Sequence, residues 1–367
     1  MLVKAAVLYE VKKPLVIEDI ELQDPKRGEV RIQVGAAGVC RSDLHFMRGH
    51  ATITKPAILG HEGAGTVEAV GEGVTTLKPG DRVILSFVPN CGFCHYCETG
   101  RPHLCDTAIR VNAGVMMDGT PRHFTRSGEK ITNMGKVSCF AERTVVPESG
   151  CIKVADDFSL ENAALVGCSV TTGVGAVLFN AKVEAGSSVA VVGCGGVGLN
   201  VLQGARIAGA SPIVAVDISD AKLDFARQFG ATHTVNASQG DAVKQVRELT
   251  DGGADYTFEV FGGAHTTEMA VEMARKGGTT VIVGLAAVGE KAGIEPLAIT
   301  RMEKVIKGTY YGSARPHQDM PRLVDMYRRG VLDIDRLVTR RYTLDQINKA
   351  YEDLDGDKVG RGVIAFE

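Results

Sequence analysis

Ser188-Val-Ala-Val-Val192-Gly193-Cys194-Gly195-Gly196-Val197-Gly198 runs from apolar strand pattern into a glycine-rich turn. A short apolar run enters G-x-G-x-x-G, and a helical pattern, Val197–Ala208, leaves it. In that strand–turn–helix setting the glycines permit a tight turn, let a pyrophosphate approach backbone N–H groups, and allow the helix to pack closely on the strand. Alone the motif is weak, and a chance glycine-rich turn is the rival reading. A second apolar run, Ile213–Asp217, ends in an acid nineteen residues after Gly198. A carboxylate there accepts hydrogen bonds from the adenosine ribose hydroxyls and repels a 2′-phosphate, which favours NAD over NADP. Its alternative role is that of a carboxylate at a helix N-terminus. Lys222, five residues on, is either a second ribose contact or a solvated helix lysine.

Working outward, strands and amphipathic helices alternate. Ser188–Val192, Ile213–Asp217, Thr232–Val235, Tyr256–Val260, Thr280–Val283 and Val305–Tyr310 read as strands. Val197–Ala208, Asp220–Phe229, Asp241–Thr250 and Thr266–Arg275 read as helices between them. Six strands separated by helices predict a doubly wound parallel α/β sheet. The region before it, to about residue 165, reads differently. Val3–Tyr9, Leu15–Ile20, Glu29–Ala36, Gly65–Val70 and Asp81–Leu85 are rich in Val and Ile and bounded by turn residues, which predicts a β-rich, barrel-like domain. Two helical stretches, Met320–Arg329 and Leu344–Asp353, and a strand, Gly362–Phe366, follow the sheet; that tail is expected to return to the first domain. The domains are therefore drawn as 1–169 with 310–367, and 170–309.

A chain of 367 residues exceeds one simple core. Its net charge of −3 gives no global attraction to nucleic acid or to an anionic membrane. No signal-peptide pattern opens the chain, and no apolar run approaches a membrane span, the best being Ser188–Leu199. The protein is expected in the cytoplasm. There, nine cysteines point to metal ligands or free thiols before disulfides.

Cys91-Gly-Phe-Cys94-His-Tyr-Cys97, followed by Cys105, concentrates four thiols within fifteen residues. That density suits one tetrahedral metal, a closed zinc site before an iron–sulfur cluster. The other cysteines are Cys40, Cys139, Cys151, Cys168 and Cys194. From spacing alone, buried free thiols are the readier explanation for these.

Cys40-Arg-Ser-Asp43, Gly60-His-Glu-Gly-Ala-Gly65, the four-cysteine loop, Val166-Gly-Cys168 and Gly193–Gly198 together resemble a zinc-containing alcohol dehydrogenase of the medium-chain dehydrogenase/reductase family. The motifs follow the family's order and span most of the chain. The resemblance implies a GroES-like catalytic domain around a Rossmann domain. It implies a catalytic zinc on Cys40, His61 and Cys168, with Glu62 able to adjust coordination and Asp43 fixing the histidine tautomer. It implies pyrophosphate contacts from Arg41 and Arg361, nicotinamide contacts from Thr172 and Val197, and a proton path through Ser42 and His45. It places Ala51, Phe87, Met134 and Leu285 around the substrate, with Arg110 near its mouth.

The reading is of an NAD-linked, two-zinc oxidation of primary alcohols, medium-chain or aromatic, with the reverse reduction. Its first alternative is a thiol-adduct (S-hydroxymethylglutathione-type) formaldehyde dehydrogenase of the same family, which Ile109-Arg-Val111 and Met117-Asp-Gly-Thr120 resemble. A polyol dehydrogenase fits less well, because many carry Glu where Cys168 stands. A nonenzymatic zinc and nucleotide sensor is the reading from another class. The long Cys105–Phe140 segment resembles dimeric relatives, so a homodimer paired through the Rossmann sheets is expected. The partners foreseen are a small alcohol or aldehyde, with neither nucleic acid nor membrane.

Overall fold

The computed structural model describes residues 1–110, 114–356 and 358–366, with 109 and 110 in the backbone only. The chain divides into two compact units. One holds Met1–Cys168, Arg315–Asp325 and Ile334–Glu367; the other holds Ser169–Ala314 and Met326–Asp333.

The first unit is β-rich. A closed barrel is formed by Leu2–Leu8, Val16–Leu22, His123–Phe124, Lys130–Asn133 and Ala57–Ile58. Beside it runs a seven-stranded sheet built on Glu29–Gly38, which pairs with Gly63–Val70, Arg143–Pro147 and Arg361–Ala365. The last pairing brings the tail back, with Val363 opposite Gly38 and Ala365 opposite Ala36. Inward-facing Val30, Ile32 and Val34 alternate along the central strand with Arg31 and Gln33, and they join a core that includes Ile58, Phe140, Ile347 and Tyr351.

The second unit is a six-stranded parallel sheet. Its spatial order is His233–Asn236, Ile213–Asp217, Val189–Val192, Ala254–Glu259, Ala274–Ile282, Val305–Gly308. The order reverses between Val189–Val192 and Ala254–Glu259, so the carboxyl ends of these strands flank the crevice where doubly wound sheets bind ligands. Val189–Val192 is buried throughout, because helices cover both faces of such a sheet. The predicted helix Thr266–Arg275 ends earlier, at Met273, and the following strand begins at Ala274 rather than Thr280.

One helix, Leu160–Ala181 (22 residues, mean hydropathy 1.6), is long and apolar enough to cross a membrane by length and composition. This corrects the expectation that no run approaches that length. Glu161, Asn162, Ser169, Thr171 and Thr172 interrupt the run in sequence, yet 83% of the helix's apolar window is buried inside the protein, as in a core helix.

Candidate active site

Three segments converge on one buried cluster in the first unit. Cys40 precedes the helix Arg41–Arg48 in extended conformation (φ −116°, ψ 146°), so its sulfur stands at the helix mouth. Asp43, in the helix's first turn, is fully buried. Its Oδ1 accepts hydrogen bonds from the Gly60 backbone N–H (3.0 Å) and from His61 Nδ1 (3.2 Å). Gly60 bends the chain there at φ +91°, and a Cβ on it would strike Phe140 at 2.8 Å. Cys168 lies in the π-helical turn Val166–Val170, a distortion that re-aims side chains at functional sites.

The ligand atoms of Cys40, His61, Glu62 and Cys168 all lie within 4.8 Å of one another. The Asp43 contact commits Nδ1 of His61 and leaves Nε2 for the cluster. Glu62 Oε2 takes a 2.7 Å ion pair from Arg361, whose Nη2 also donates to the Val39 carbonyl (3.0 Å). Glu62 Oε1 is buried without a hydrogen-bond partner among the described residues. Gly38 makes room for this carboxylate; a Cβ there would come within 2.1 Å of Oε2.

The Cys40 thiol is held well below its usual value, first by a hydrogen bond from Cys168 and also by His61 and Arg361. Burial raises Glu62 to about 7 against the pull of Arg361. A compact set of two thiols, one imidazole nitrogen and an orphaned carboxylate oxygen fits a divalent soft-to-borderline metal, zinc above others.

The four-cysteine loop forms a second cluster in the same unit. Cys94 and Cys97 sulfurs are 3.5 Å apart, Cys94 and Cys105 3.9 Å, and Cys91 and Cys97 4.0 Å. A tetrahedron with Zn–S near 2.3 Å has edges of about 3.8 Å, so the set fits one closed zinc. All nine cysteines are free. Cys97→Ala should release this zinc and leave the Cys40 cluster intact. A loss of a few kcal/mol would lower Tm by roughly 5–10 °C, at the ~2–4 °C per kcal/mol usual for domains of this size. Thermal unfolding with zinc analysis checks it, and an unchanged Tm would contradict the structural role.

The glycine loop lies in the second unit. Gly193 has φ +100°, and a Cβ on Gly198 would meet the Gly193 carbonyl at 1.9 Å, so both positions exclude larger residues. Gly195 precedes the helix Gly196–Ile207 with no side-chain cap, and a Cβ there would meet nothing within 4 Å. Unpaired N–H groups at a helix mouth with open space in front fit a pyrophosphate. Asp217 Oδ2 accepts the Cys194 N–H (2.8 Å), and Oδ1 accepts those of Ile218 (2.8 Å) and Ser219 (3.1 Å). The acid thus ties the loop to the next strand. Lys222 lies close enough to act electrostatically on Cys194. Val197 is half-buried, and a Cβ on Gly173, next to half-buried Thr172, would lie 2.5 Å from the Val197 carbonyl, so these two positions come together.

Of the other predicted residues, Phe87 stacks edge-on against His61 (centroids 5.3 Å apart, 84°), and Met134 packs against the same core. Ser42 Oγ is 3.7 Å from Cys40 Sγ, and His45 is half-buried one turn further along the helix. Arg41 and Ala51 are half-buried in the first unit. Leu285 is 57% exposed in the second unit. The Arg110 side chain lies outside the described residues. One participant escapes the sequence reading: Gly38, which accommodates Glu62.

A buried Cys–His–Cys cluster, a closed four-cysteine site and a dinucleotide-type glycine loop define a metal-dependent dehydrogenase. Residues 26–156 match the alcohol dehydrogenase GroES-like domain, and residues 196–329 match the zinc-binding dehydrogenase domain. The chain is 43% identical to the NDMA-dependent alcohol dehydrogenase of Amycolatopsis methanolica, over 99% of each chain. It is 41% identical to the S-(hydroxymethyl)glutathione dehydrogenase of Saccharomyces cerevisiae, over 96% of this chain and 94% of that one. The crystal structure of benzyl alcohol dehydrogenase from Acinetobacter calcoaceticus superposes with a TM-score of 0.94 at 32% identity, covering 100% of both. The chain belongs to the zinc-containing alcohol dehydrogenases of the medium-chain dehydrogenase/reductase family.

Proposed function

We propose that the protein oxidises medium-chain or aromatic primary alcohols to aldehydes with NAD, and catalyses the reverse reduction. The observation that carries this reading is the convergence of Cys40, His61, Glu62 and Cys168 beside the apolar ring of Phe87. Cys40, His61 and Cys168 would hold zinc, which when bound would act as a Lewis acid toward a substrate hydroxyl. Gly193–Gly198 and Asp217 would hold NAD, which would supply the hydride acceptor. The chain's own residues do the rest. Asp43 holds the His61 ring in one tautomer. Phe87 and Met134 keep water from the reacting carbon and select apolar substituents. Arg361 holds Glu62 in place.

The released proton needs a route from this buried cluster. Ser42, beside Cys40, takes it first, and His45 passes it to solvent. Burial, together with His50 and Arg41, holds the His45 imidazolium pKa below its usual value. The ring is therefore neutral at pH 7 and ready to accept. His45→Gln should slow alcohol oxidation near neutral pH by roughly a hundredfold, the lower end for a lost acid–base group. Small buffer bases or higher pH should restore part of the rate. An unchanged pH–rate profile would remove His45 from the path.

The relatives named for S-(hydroxymethyl)glutathione keep the thiol-adduct reading in view. Binding such an adduct requires carboxylates for its ammonium group, and the stretch Arg48-Gly-His-Ala-Thr52 has none. Arg48 is engaged with Asp355. The test is kcat/KM for ethanol, hexanol, benzyl alcohol and S-hydroxymethylglutathione. Each buried methylene contributes about 0.8 kcal/mol, or about fourfold, so hexanol and benzyl alcohol should exceed ethanol by at least roughly tenfold. A preference for the glutathione adduct would replace this reading with the other. A cytoplasmic homodimer completes the proposal, and sedimentation of the holoprotein at the 38.9 kDa of one chain would overturn the dimer.

A further inference from the structure

Asp43 is half explained by the site as described. Its Oδ1 takes the Gly60 and His61 N–H groups, but its Oδ2 is buried with no hydrogen-bond partner among the described residues. The Tyr351 hydroxyl is in the same condition. Tyr351 stands on the tail helix Ile347–Asp355, is 3% exposed, and has its ring set edge-on to Phe140 with centroids 6.0 Å apart. Phe140 follows Cys139 and packs against Gly60, so the Tyr351 ring is wedged behind the turn that carries His61. Burial first, and Asp43 next, suppress ionisation of the phenol, which stays a donor.

A buried hydroxyl and a buried carboxylate oxygen that both lack other partners each cost stability alone. A hydroxyl donor and a carboxylate acceptor brought within reach satisfy each other through one O–H···O⁻ bond, the stronger charge-assisted kind. We infer that Tyr351 is a positioning residue for the zinc site: its hydroxyl donates to Asp43 Oδ2 and fixes the carboxylate that orients His61. The inference rests on the zinc assignment of Cys40, His61 and Cys168. It gives the returning tail a task beyond closing the sheet, since a residue more than three hundred positions from Asp43 sets the ligand's orientation. Outer partners of metal-bound histidines typically tune metal affinity by about 10- to 100-fold.

The test is Tyr351→Phe, which keeps the ring against Phe140 and removes only the hydroxyl. Zinc affinity is measured by chelator competition on the full-length holoprotein. The Cys40 site should bind zinc about tenfold or more weakly than in wild type. In the Cys40→Ala background, where only the four-cysteine zinc remains, Tyr351→Phe should not alter metal retention. In the Asp43→Asn background it should add little further loss, because the acceptor it serves is already changed. Unchanged affinity of the Cys40 site, equal weakening of the four-cysteine zinc, or a full additive loss on top of Asp43→Asn would each overturn the inference. Wild-type protein lacking the Cys40-site zinc would overturn both this inference and the assignment beneath it.

Discussion

Cys40→Ala is expected to abolish alcohol oxidation while the protein stays folded. The sulfur lies within 4.8 Å of the ligand atoms of His61, Glu62 and Cys168. Its thiol is also held well below the usual value, first by Cys168 and also by His61 and Arg361. Two remaining protein ligands would hold zinc poorly, so the subunit should fall from two zincs to one. Losing several kcal/mol of charge stabilisation at the reacting oxygen corresponds to at least roughly a thousandfold in kcat/KM, at ~1.36 kcal/mol per tenfold. Cys40 provides no side-chain cap to the helix Arg41–Arg48, and alanine is smaller, so the fold has little to lose. Elemental analysis and steady-state rates check this together. Two zincs in the variant, or a rate within tenfold of wild type, would contradict the ligand assignment.

The second large effect concerns cofactor choice. Asp217→Ser should shift the NAD/NADP ratio of kcat/KM by at least roughly tenfold toward NADP, because like charges held together cost several kcal/mol. The shift should come mainly from weaker NAD binding and tolerated 2′-phosphate, with no gain of a cationic contact. Asp217 also accepts three backbone N–H groups, including that of Cys194 in the glycine loop. The variant should therefore lose some affinity for both cofactors. Equal use of NAD and NADP by the wild type would remove Asp217 from the account.

The centre of the Rossmann sheet was legible because Val189–Val192 and Ile213–Asp217 are buried and read as near-continuous Val and Ala runs; Ile213–Asp217 matches residue for residue. The first domain was legible as β-rich and barrel-like, but not strand by strand. Its strands Ala57–Ile58 and His123–Phe124 are two residues long and exist through long-range pairing, which leaves no local pattern. The helix Arg41–Arg48 went unread because Cys40 offers no Ser, Thr, Asp or Asn cap and the helix spans eight residues. The four-cysteine site announced itself by spacing, since all its ligands sit in one loop. The Cys40 site did not. Its ligands are scattered to residues 61 and 168, and only the resemblance to a family joined them. Its supports are more distant still: Glu62 and Arg361 meet across 299 residues. Arg361 was expected at the pyrophosphate; its Nη2 is committed to Glu62 and Val39, and it is 4% exposed.

The central claim is that zinc at Cys40, His61 and Cys168 drives NAD-linked alcohol oxidation. It is tested most directly by following NADH formation from hexanol while one zinc per subunit is withdrawn by a chelator and then restored. Activity should fall in proportion to the first zinc lost from this site, be absent in Cys40→Ala at every zinc level, and return with zinc in the wild type. Full NADH formation by wild-type protein from which this zinc has been removed would contradict it.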